Sequence, residues 1–263
     1  MIKYDFRNKL VLVLASSKGI GYELAKSFAL NNAHVAICSR SIKNLNQAKR
    51  KLKIVNKHNK VKFFKTDLSK KGSTKKLYLN VKKSFKKDID ILVNNSGGPA
   101  AKEIIKTNEK DWNYSIDNNL MSFIKMSLEV IPNMKKKKWG RIINLTSATA
   151  KEPAEKMVLS NVTRAGVLAF SKTLSKEIKT DGVTVNSILT GSVLTDRLLS
   201  LFKKNKTMSL KNSLKKLSTS IPVQHIAHPN EFVQLVLFLC SNEASYVNGV
   251  AISVDGGLSN TIF

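Results

Sequence analysis

Short apolar segments alternate along this chain with longer amphipathic segments, and this alternation limits the possible folds more than any other feature of the sequence. Seven short segments have the composition of strands: 10–15, 34–38, 61–65, 89–94, 141–146, 183–189 and 250–254. Six longer segments have helical periodicity: 20–31, 43–57, 70–86, 109–134, 157–180 and 229–241. Several predicted strands are apolar throughout, which is typical of strands that helices cover on both faces. The alternation predicts an α/β fold with one doubly wound parallel sheet of seven strands and helices on both faces.

The chain of 263 residues is long enough for one such domain, and we expect a single domain over 1–263. The polar, helical segment 195–220 follows the sixth predicted strand, and we interpret it as an excursion that covers the substrate. No segment approaches the roughly 20 apolar residues that span a bilayer, so we expect a cytoplasmic protein without membrane contact. Cys38 and Cys240 lie in apolar segments, and we expect them to be small core residues.

The formal net charge of +27 invites a nucleic-acid interpretation, but the residue types favour another. Nearly all of the positive charge is lysine spread over most predicted helices, whereas nucleic-acid binders usually favour arginine for bidentate contacts. We therefore interpret the charge as solvated surface and expect no nucleic-acid partner. Recruitment to a polyanionic partner, such as an acidic carrier protein, stays open.

The first predicted strand leads into a helix through a glycine-containing turn, Ala15-Ser16-Ser17-Lys18-Gly19-Ile20-Gly21. Such a turn directs backbone N–H groups and the positive end of the helix dipole at a pyrophosphate. Its glycines allow the ligand to approach the backbone closely. The turn therefore predicts a dinucleotide site and a sheet of the Rossmann type.

Further motifs follow this turn along the chain. They are Asp67-Leu68, Asn94-Asn95-Ser96-Gly97, Asn119 before Leu120, Ser147, Thr190-Gly191-Ser192-Val193-Leu194-Thr195, Tyr246-Val247-Asn248-Gly249 and Val254-Asp255-Gly256-Gly257. Together they resemble the motifs of the short-chain dehydrogenase/reductase family, most of all its 3-oxoacyl-carrier-protein reductase-like members. The resemblance implies a homotetramer and a small-molecule substrate, either a carbonyl compound or an acyl thioester. It also implies cofactor-binding roles for Ala15, Ser17, Lys18, Gly19, Ile20, Gly21, Ser39, Arg40, Asp67, Leu68, Asn94, Ser96, Gly97, Arg164, Gly191, Val193 and Thr195.

Two residues depart from the family pattern around the expected cofactor. Ala15 stands where the family has its first glycine, and because its methyl group is small we expect binding to survive if φ is negative there. Thr190 stands where the family has proline, and we expect this change to be tolerated as well.

The end of the second strand indicates which nicotinamide cofactor the chain uses. An acidic residue there would bind the ribose hydroxyls of NAD, but the segment reads Cys38-Ser39-Arg40. Arg40 and Lys18 are positioned to meet a 2′-phosphate, and no carboxylate repels it. The sequence therefore favours NADP(H) over NAD(H), although both cations could be ordinary surface charges.

The catalytic tyrosine and lysine of the family are missing. In register with Ser147 and with the helix segment Ala165-Gly166-Val167-Leu168, Arg164 stands at the lysine position and Ser160 at the tyrosine position. A phenol has a pKa near 10, whereas a serine hydroxyl is a far weaker acid and Arg stays protonated. A positioned general acid typically contributes about 10²–10⁴-fold, so its replacement matters. The alternative proton sources are a water held by Asn119 or one of the side chains before the helix: Lys151, Glu152, Glu155 and Lys156.

Three hypotheses follow from this pattern. The first is an NADP(H)-dependent oxidoreductase of carbonyl or alcohol substrates with an altered site of Asn119, Ser147, Ser160 and Arg164. The second is a cofactor-binding but catalytically weak or inactive homologue that acts as a sensor or scaffold. The third is a protein recruited by its charge to a polyanion. No metal site is expected, because His225 and His228 lack accompanying Cys or carboxylate ligands.

Overall fold

The structure is a computed structural model, and it describes residues 4–52, 60–179, 182–203 and 208–262. Its strands and helices follow one another in chain order. They are β1 (Leu10–Val13), α1 (Gly19–Leu30), β2 (His34–Ser39), α2 (Ile42–Leu52), β3 (Val61–Lys65), α3 (Ser73–Phe85), β4 (Ile91–Asn94), α4 (Glu109–Ile116), α5 (Ser122–Lys137), β5 (Gly140–Ser147), α6 (Val158–Glu177), β6 (Val183–Thr190), α7 (Asp196–Lys203), α8 (Leu210–Ser220), α9 (Pro229–Cys240) and β7 (Ala251–Val254).

The strands form one sheet of seven in the order β3-β2-β1-β4-β5-β6-β7, and every neighbouring pair is parallel. The predicted doubly wound parallel sheet is therefore confirmed. The order reverses between β1 and β4, which leaves a crevice at the carboxyl ends of the strands. That edge is where a ligand is expected in an open sheet of this kind.

Two apolar clusters cover the two faces of the sheet. Because successive strand residues point to opposite faces, Val11 and Val13 of β1 enter one cluster, and Leu10 and Leu12 enter the other. Helices α1 and α9 pack on the first face, and α3 and α5 pack on the second. Cys38 and Cys240 are free thiols buried in these clusters, which confirms the expectation of small core residues.

The predicted helix 109–134 is present but not uniform. It begins at a capping box in which Asn108 and Asp111 satisfy each other's backbone N–H groups, and a π-helical turn over Asp117–Met121 separates α4 from α5. Such turns occur often at functional sites, and this one contains Asn119. The predicted helix 43–57 ends at Leu52, and residues 53–57 lie outside the described residues.

The predicted excursion 195–220 contains α7 and α8, and residues 204–207 between them lie outside the described residues. The first turns of α7 contribute to the cavity described below. Within the described ranges, no helix has the length and apolar character needed to cross a membrane.

Candidate active site

A cavity of about 710 Å³ lies at the carboxyl ends of the central strands. Most of the residues predicted to bind the cofactor or to catalyse line it: Ala15, Ser17, Lys18, Gly19, Ile20, Gly21, Ser39, Arg40, Asp67, Leu68, Ser96, Gly97, Ser147, Ser160, Arg164, Gly191, Val193 and Thr195. Asn94 and Asn119 are fully buried and do not line it. The topology therefore brings residues from distant parts of the sequence to one edge of the sheet.

Asn94 lies beneath the cavity and has a packing role. Its Nδ2 donates hydrogen bonds to Asn144 Oδ1 at 2.7 Å and to Ser127 Oγ at 3.0 Å. These bonds tie β4 to β5 and α5 below the site. The predicted direct role in cofactor binding is therefore not supported at this position. The neighbouring Asn95, which was not predicted, lines the cavity instead.

The turn after β1 is shaped for an anionic ligand. Helix α1 begins at Gly19 with no acidic residue in its first turn, so the positive end of its dipole is uncompensated. Gly21 is required by close packing, because a Cβ there would stand 2.7 Å from Asn95 Nδ2 and 3.0 Å from the Ala15 carbonyl oxygen. This turn can hold a pyrophosphate with its backbone N–H groups.

The condition set above for Ala15, a negative φ, is not met. Its φ is 45°, in the left-handed region that costs an L-residue roughly 1–2 kcal/mol. Neighbouring hydrogen bonds impose this conformation: Asn95 Nδ2 donates to the carbonyl oxygens of Leu14 and Ala15, each at 3.2 Å. On the other side, the Ser16 amide donates to the Cys38 carbonyl at 2.9 Å. The turn keeps the shape of a glycine turn although alanine occupies it.

The adenosine end of the cavity lies at the end of β2. Ser17 Oγ donates to Ser39 Oγ at 2.9 Å, and the exposed Arg40 donates to the Tyr114 hydroxyl at 2.7 Å. Lys18 pairs with Asp196 of α7 at 3.2 Å, and both side chains are largely exposed. Only two carboxylates, Asp67 and Asp196, lie among the described residues that line the cavity. Neither stands at the end of β2, where an acid would oppose a 2′-phosphate.

Arg164 is buried at the catalytic end of the cavity, with 5% of its surface exposed. Its guanidinium donates to the Leu145 carbonyl at 3.0 Å and to Ser96 Oγ at 3.2 Å, and it lies 5.4 Å from the centre of the Phe123 ring. Burial lowers the pKa of Arg164 to about 10, and repulsion by Arg197 contributes to the shift. The group therefore remains a cation at neutral pH, held in one position.

Ser96 connects this cation to Asn119. Asn119 Nδ2 donates to Ser96 Oγ at 2.8 Å and to the Gly97 carbonyl at 2.9 Å. The Ser96 hydroxyl thus accepts from both Asn119 and Arg164. These bonds direct the Asn119 amide into the protein.

Ser147 and Ser160 place two hydroxyl groups at the catalytic end. Ser147 is half-buried at the end of β5, and its Oγ accepts hydrogen bonds from the amide and the hydroxyl of Thr149, at 3.2 and 3.1 Å. Ser160 is 4% exposed and lines the cavity from the first turn of α6. Both residues that replace the family pair therefore face the same cavity as Ser147.

The side chains before α6 that were considered as proton sources do not line this cavity. Glu152 accepts hydrogen bonds from the amide and the side chain of Asn260, at 2.9 and 3.0 Å. Lys151 donates to the Ala251 carbonyl, and Lys156 lies near Glu103. The loop therefore packs on other parts of the surface.

His225, considered above as a metal ligand, and the aromatic residue Trp139 both have structural surroundings. His225 Nε2 lies 2.8 Å from Glu231 Oε2, and Trp139 lies between the cations of Lys9 and Arg141. Within the part of the chain that the structure describes, no group of His, Cys, Asp or Glu is arranged to hold a metal ion.

Comparison with known proteins gives consistent matches over nearly the whole chain. A family model described as Enoyl-(Acyl carrier protein) reductase matches residues 14–259. The chain is 32% identical over 254 residues to the 3-oxoacyl-[acyl-carrier-protein] reductase FabG of Chlamydia muridarum (strain MoPn / Nigg), covering 96% of this chain and 98% of that protein. It is 30% identical over 252 residues to Dehydrogenase/reductase SDR family member 4 of Homo sapiens, covering 95% and 87%. The solved structure of L-sorbose reductase from Gluconobacter frateurii, complexed with NADPH and L-sorbose, has a TM-score of 0.91 at 29% identity and covers 99% of this chain and 100% of that chain.

Proposed function

The chain belongs to the short-chain dehydrogenase/reductase family and is an oxidoreductase of carbonyl or alcohol substrates, and we propose that it uses NADP(H) in a site where Ser160 and Arg164 replace the family's tyrosine and lysine. One observation carries this proposal: the buried, hydrogen-bonded Arg164 faces the same cavity as Ser147 and the glycine-containing turn. Unlike Arg141, which is also buried, Arg164 lines the cavity and can act on a bound ligand.

The cavity fits a phosphorylated dinucleotide at its adenosine end. The N-terminus of α1 and the close approach that Gly21 permits suit a pyrophosphate. Arg40 and Lys18 stand where a 2′-phosphate is expected, and Arg40 would exchange its bond to Tyr114 for a charge-assisted one. The NADPH bound to the similar L-sorbose reductase supports the same choice of cofactor.

Chemistry at the other end follows from the side chains present. NADP(H), when bound, supplies or accepts the hydride. Ser147 donates a hydrogen bond to the carbonyl oxygen of the substrate, with Thr149 orienting its hydroxyl. Arg164 stabilises negative charge that develops on that oxygen. The proton comes from hydronium in bulk solvent and is relayed by a water held between Ser147 and Ser160, which regains a proton as it gives one up. Neither serine is acidic enough to replace a phenol as the acid.

The same departures support the second candidate, a cofactor-binding but catalytically weak protein that acts as a sensor or scaffold. The observation in its favour is Ser160, a hydroxyl far less acidic than the phenol it replaces. The two candidates differ in turnover. We expect purified protein to oxidise NADPH with at least one member of a panel of ketones, aldehydes and 3-oxoacyl thioesters. NADPH binding without turnover on the whole panel would favour the sensor or scaffold.

The surface of α5 and α6 supports a homotetramer as the working assembly. Leu128 on α5 and Val162 on α6 are large apolar side chains about half exposed. Ala165 and Ala169 on α6 are exposed small residues, which permit close helix contact. We expect light scattering at micromolar concentration to give about four times the 29.2 kDa of one chain, and a monomer mass would contradict this assembly.

The segment 195–220 is part of the same proposal. Helix α7 contributes Leu198 and Leu201 to the lining of the cavity. We assign to this segment the covering of the bound substrate, as the sequence predicts.

A further inference from the structure

Arg197 is a cation at the catalytic end of the cavity that the family resemblance does not explain. It lies in the first turn of α7, and its Nη2 donates a hydrogen bond to the Pro99 carbonyl. A Cβ added to Gly98 would stand 3.3 Å from both Nε and Nη2, so the guanidinium packs on the backbone that follows β4. The side chain is half-buried and lines the cavity together with Arg164 and Ser147.

Arg164 and Arg197 form a cationic pair without a counter-ion. Among the described residues, neither guanidinium takes part in an ion pair with a carboxylate. Asp196, the neighbour of Arg197, pairs with Lys18 instead. Burial lowers the pKa of both arginines, and Arg197 lowers that of Arg164 further by repulsion. Two guanidinium groups that line the cavity without a carboxylate partner make this part of it cationic, which favours an anionic ligand.

We propose that Arg197 binds an anionic group of the substrate, so that the carbonyl compounds this enzyme reduces carry a carboxylate or a phosphate ester. The inference rests on the proposed function, because it assigns a substrate class to the same site. Planar guanidinium groups match the geometry of carboxylate and phosphate oxygens. Three partly buried apolar side chains, Met157, Leu201 and Leu258, line the same cavity and suit a short hydrocarbon part of the substrate.

The phosphates of the cofactor are the competing source of negative charge. The phosphates can bind to the N-terminus of α1 and to Lys18. Thr195 covers that turn, because its Cγ2 would stand 3.4 Å from a Cβ added to Gly19. Arg197, two residues further along, contacts Gly98 and Pro99 and acts electrostatically on Arg164. These contacts place Arg197 at the catalytic end, where the substrate binds.

The first experiment measures NADPH oxidation with pairs of anionic and neutral substrates of similar shape. The pairs are acetoacetate and acetoacetamide, 2-oxobutanoate and 2-oxobutanamide, and dihydroxyacetone phosphate and dihydroxyacetone. We expect kcat/KM for the anion to exceed that for its neutral partner by about 10–100-fold in at least one pair, the range for a charge-assisted hydrogen bond. The pair that shows the preference tells a carboxylate from a phosphate ester.

Arg197→Gln should remove most of this preference and leave the rate with the neutral partner within about threefold. Arg197→Lys, which keeps the charge but loses the planar fork, should keep part of it. Arg50→Gln, at an exposed arginine on α2, makes the same change in net charge and should change nothing. Fluorescence titration should give Arg197→Gln the NADPH affinity of the wild type, which also shows that the variant is folded.

Binding without turnover separates this inference from the proposed function. Calorimetry with acetoacetate and with inorganic phosphate is run on the NADP⁺-loaded wild type and on Arg197→Gln. If no pair turns over but a probe binds only the wild type, the anion site stands and the reductase function fails. Equal rates for anionic and neutral partners would overturn the inference. A tenfold or greater loss of NADPH affinity in Arg197→Gln, with an unchanged preference for the anionic substrate, would also overturn it. The absence of both turnover and probe binding would overturn it as well.

Discussion

Ala15→Gly should stabilise the protein, although most substitutions at a ligand-binding turn destabilise. Ala15 has a φ of 45°, which costs an L-residue roughly 1–2 kcal/mol relative to glycine. The relief of this strain is offset by about 0.5–1 kcal/mol, because glycine loses more conformational freedom on folding than alanine does. The net expectation is a gain of about 0.5–1 kcal/mol, or an increase in Tm of about 1–4 °C for a chain of this size.

The assay is thermal unfolding followed by circular dichroism, with urea unfolding as a second measure. Ala29→Gly is the matched control, because Ala29 lies inside α1 with helical backbone angles. It should lose about 0.5–1 kcal/mol, so the two variants should move Tm in opposite directions. A loss of stability in Ala15→Gly equal to that in Ala29→Gly would refute the reasoning, because it would mean that no strain is stored at Ala15.

Two further predictions concern the two ends of the cavity. Purified protein should bind NADPH at least about tenfold more tightly than NADH, a difference of about 1.4 kcal/mol. Arg40→Asp should reduce or reverse this ratio. Equal affinities of the wild type for the two cofactors in a fluorescence titration would contradict the assignment. Ser96→Ala removes the hydroxyl that accepts from Arg164 and Asn119, so it should lower kcat by about tenfold, the value of one hydrogen bond to a charged group. An unchanged kcat would show that the Leu145 carbonyl alone holds Arg164 in place.

The sheet and the position of the site could be predicted because their signals are local in the sequence. Continuous apolar strands and amphipathic helices set the alternation, and the alternation sets the parallel order of the strands. The replacement of the catalytic pair by Ser160 and Arg164 is visible for the same reason, since residues four apart on a helix share a face. The cavity lining contains both residues.

What the sequence could not give depends on contacts between distant residues. The positive φ of Ala15 is imposed by Asn95, which is 80 residues away along the chain. Arg197 has no local motif, and only the folded chain places it on Gly98 and beside Arg164. The inward orientation of the Asn119 side chain follows from its bonds to Ser96 and Gly97, which no motif reveals. A water held by this residue stays a prediction.

The most direct test of the altered site compares steady-state NADPH oxidation by the wild type, Ser160→Ala and Ser147→Ala on one accepted substrate. If the proton comes from water, Ser160→Ala should keep kcat/KM within about tenfold of the wild type. Ser147→Ala should lose about 10²-fold or more, because it removes the hydrogen bond to the developing oxyanion. Arg164→Ala should lose a similar factor for the same electrostatic reason. Robust wild-type turnover that Ser160→Ala abolishes would contradict this mechanism, because it would make the Ser160 hydroxyl itself the proton relay.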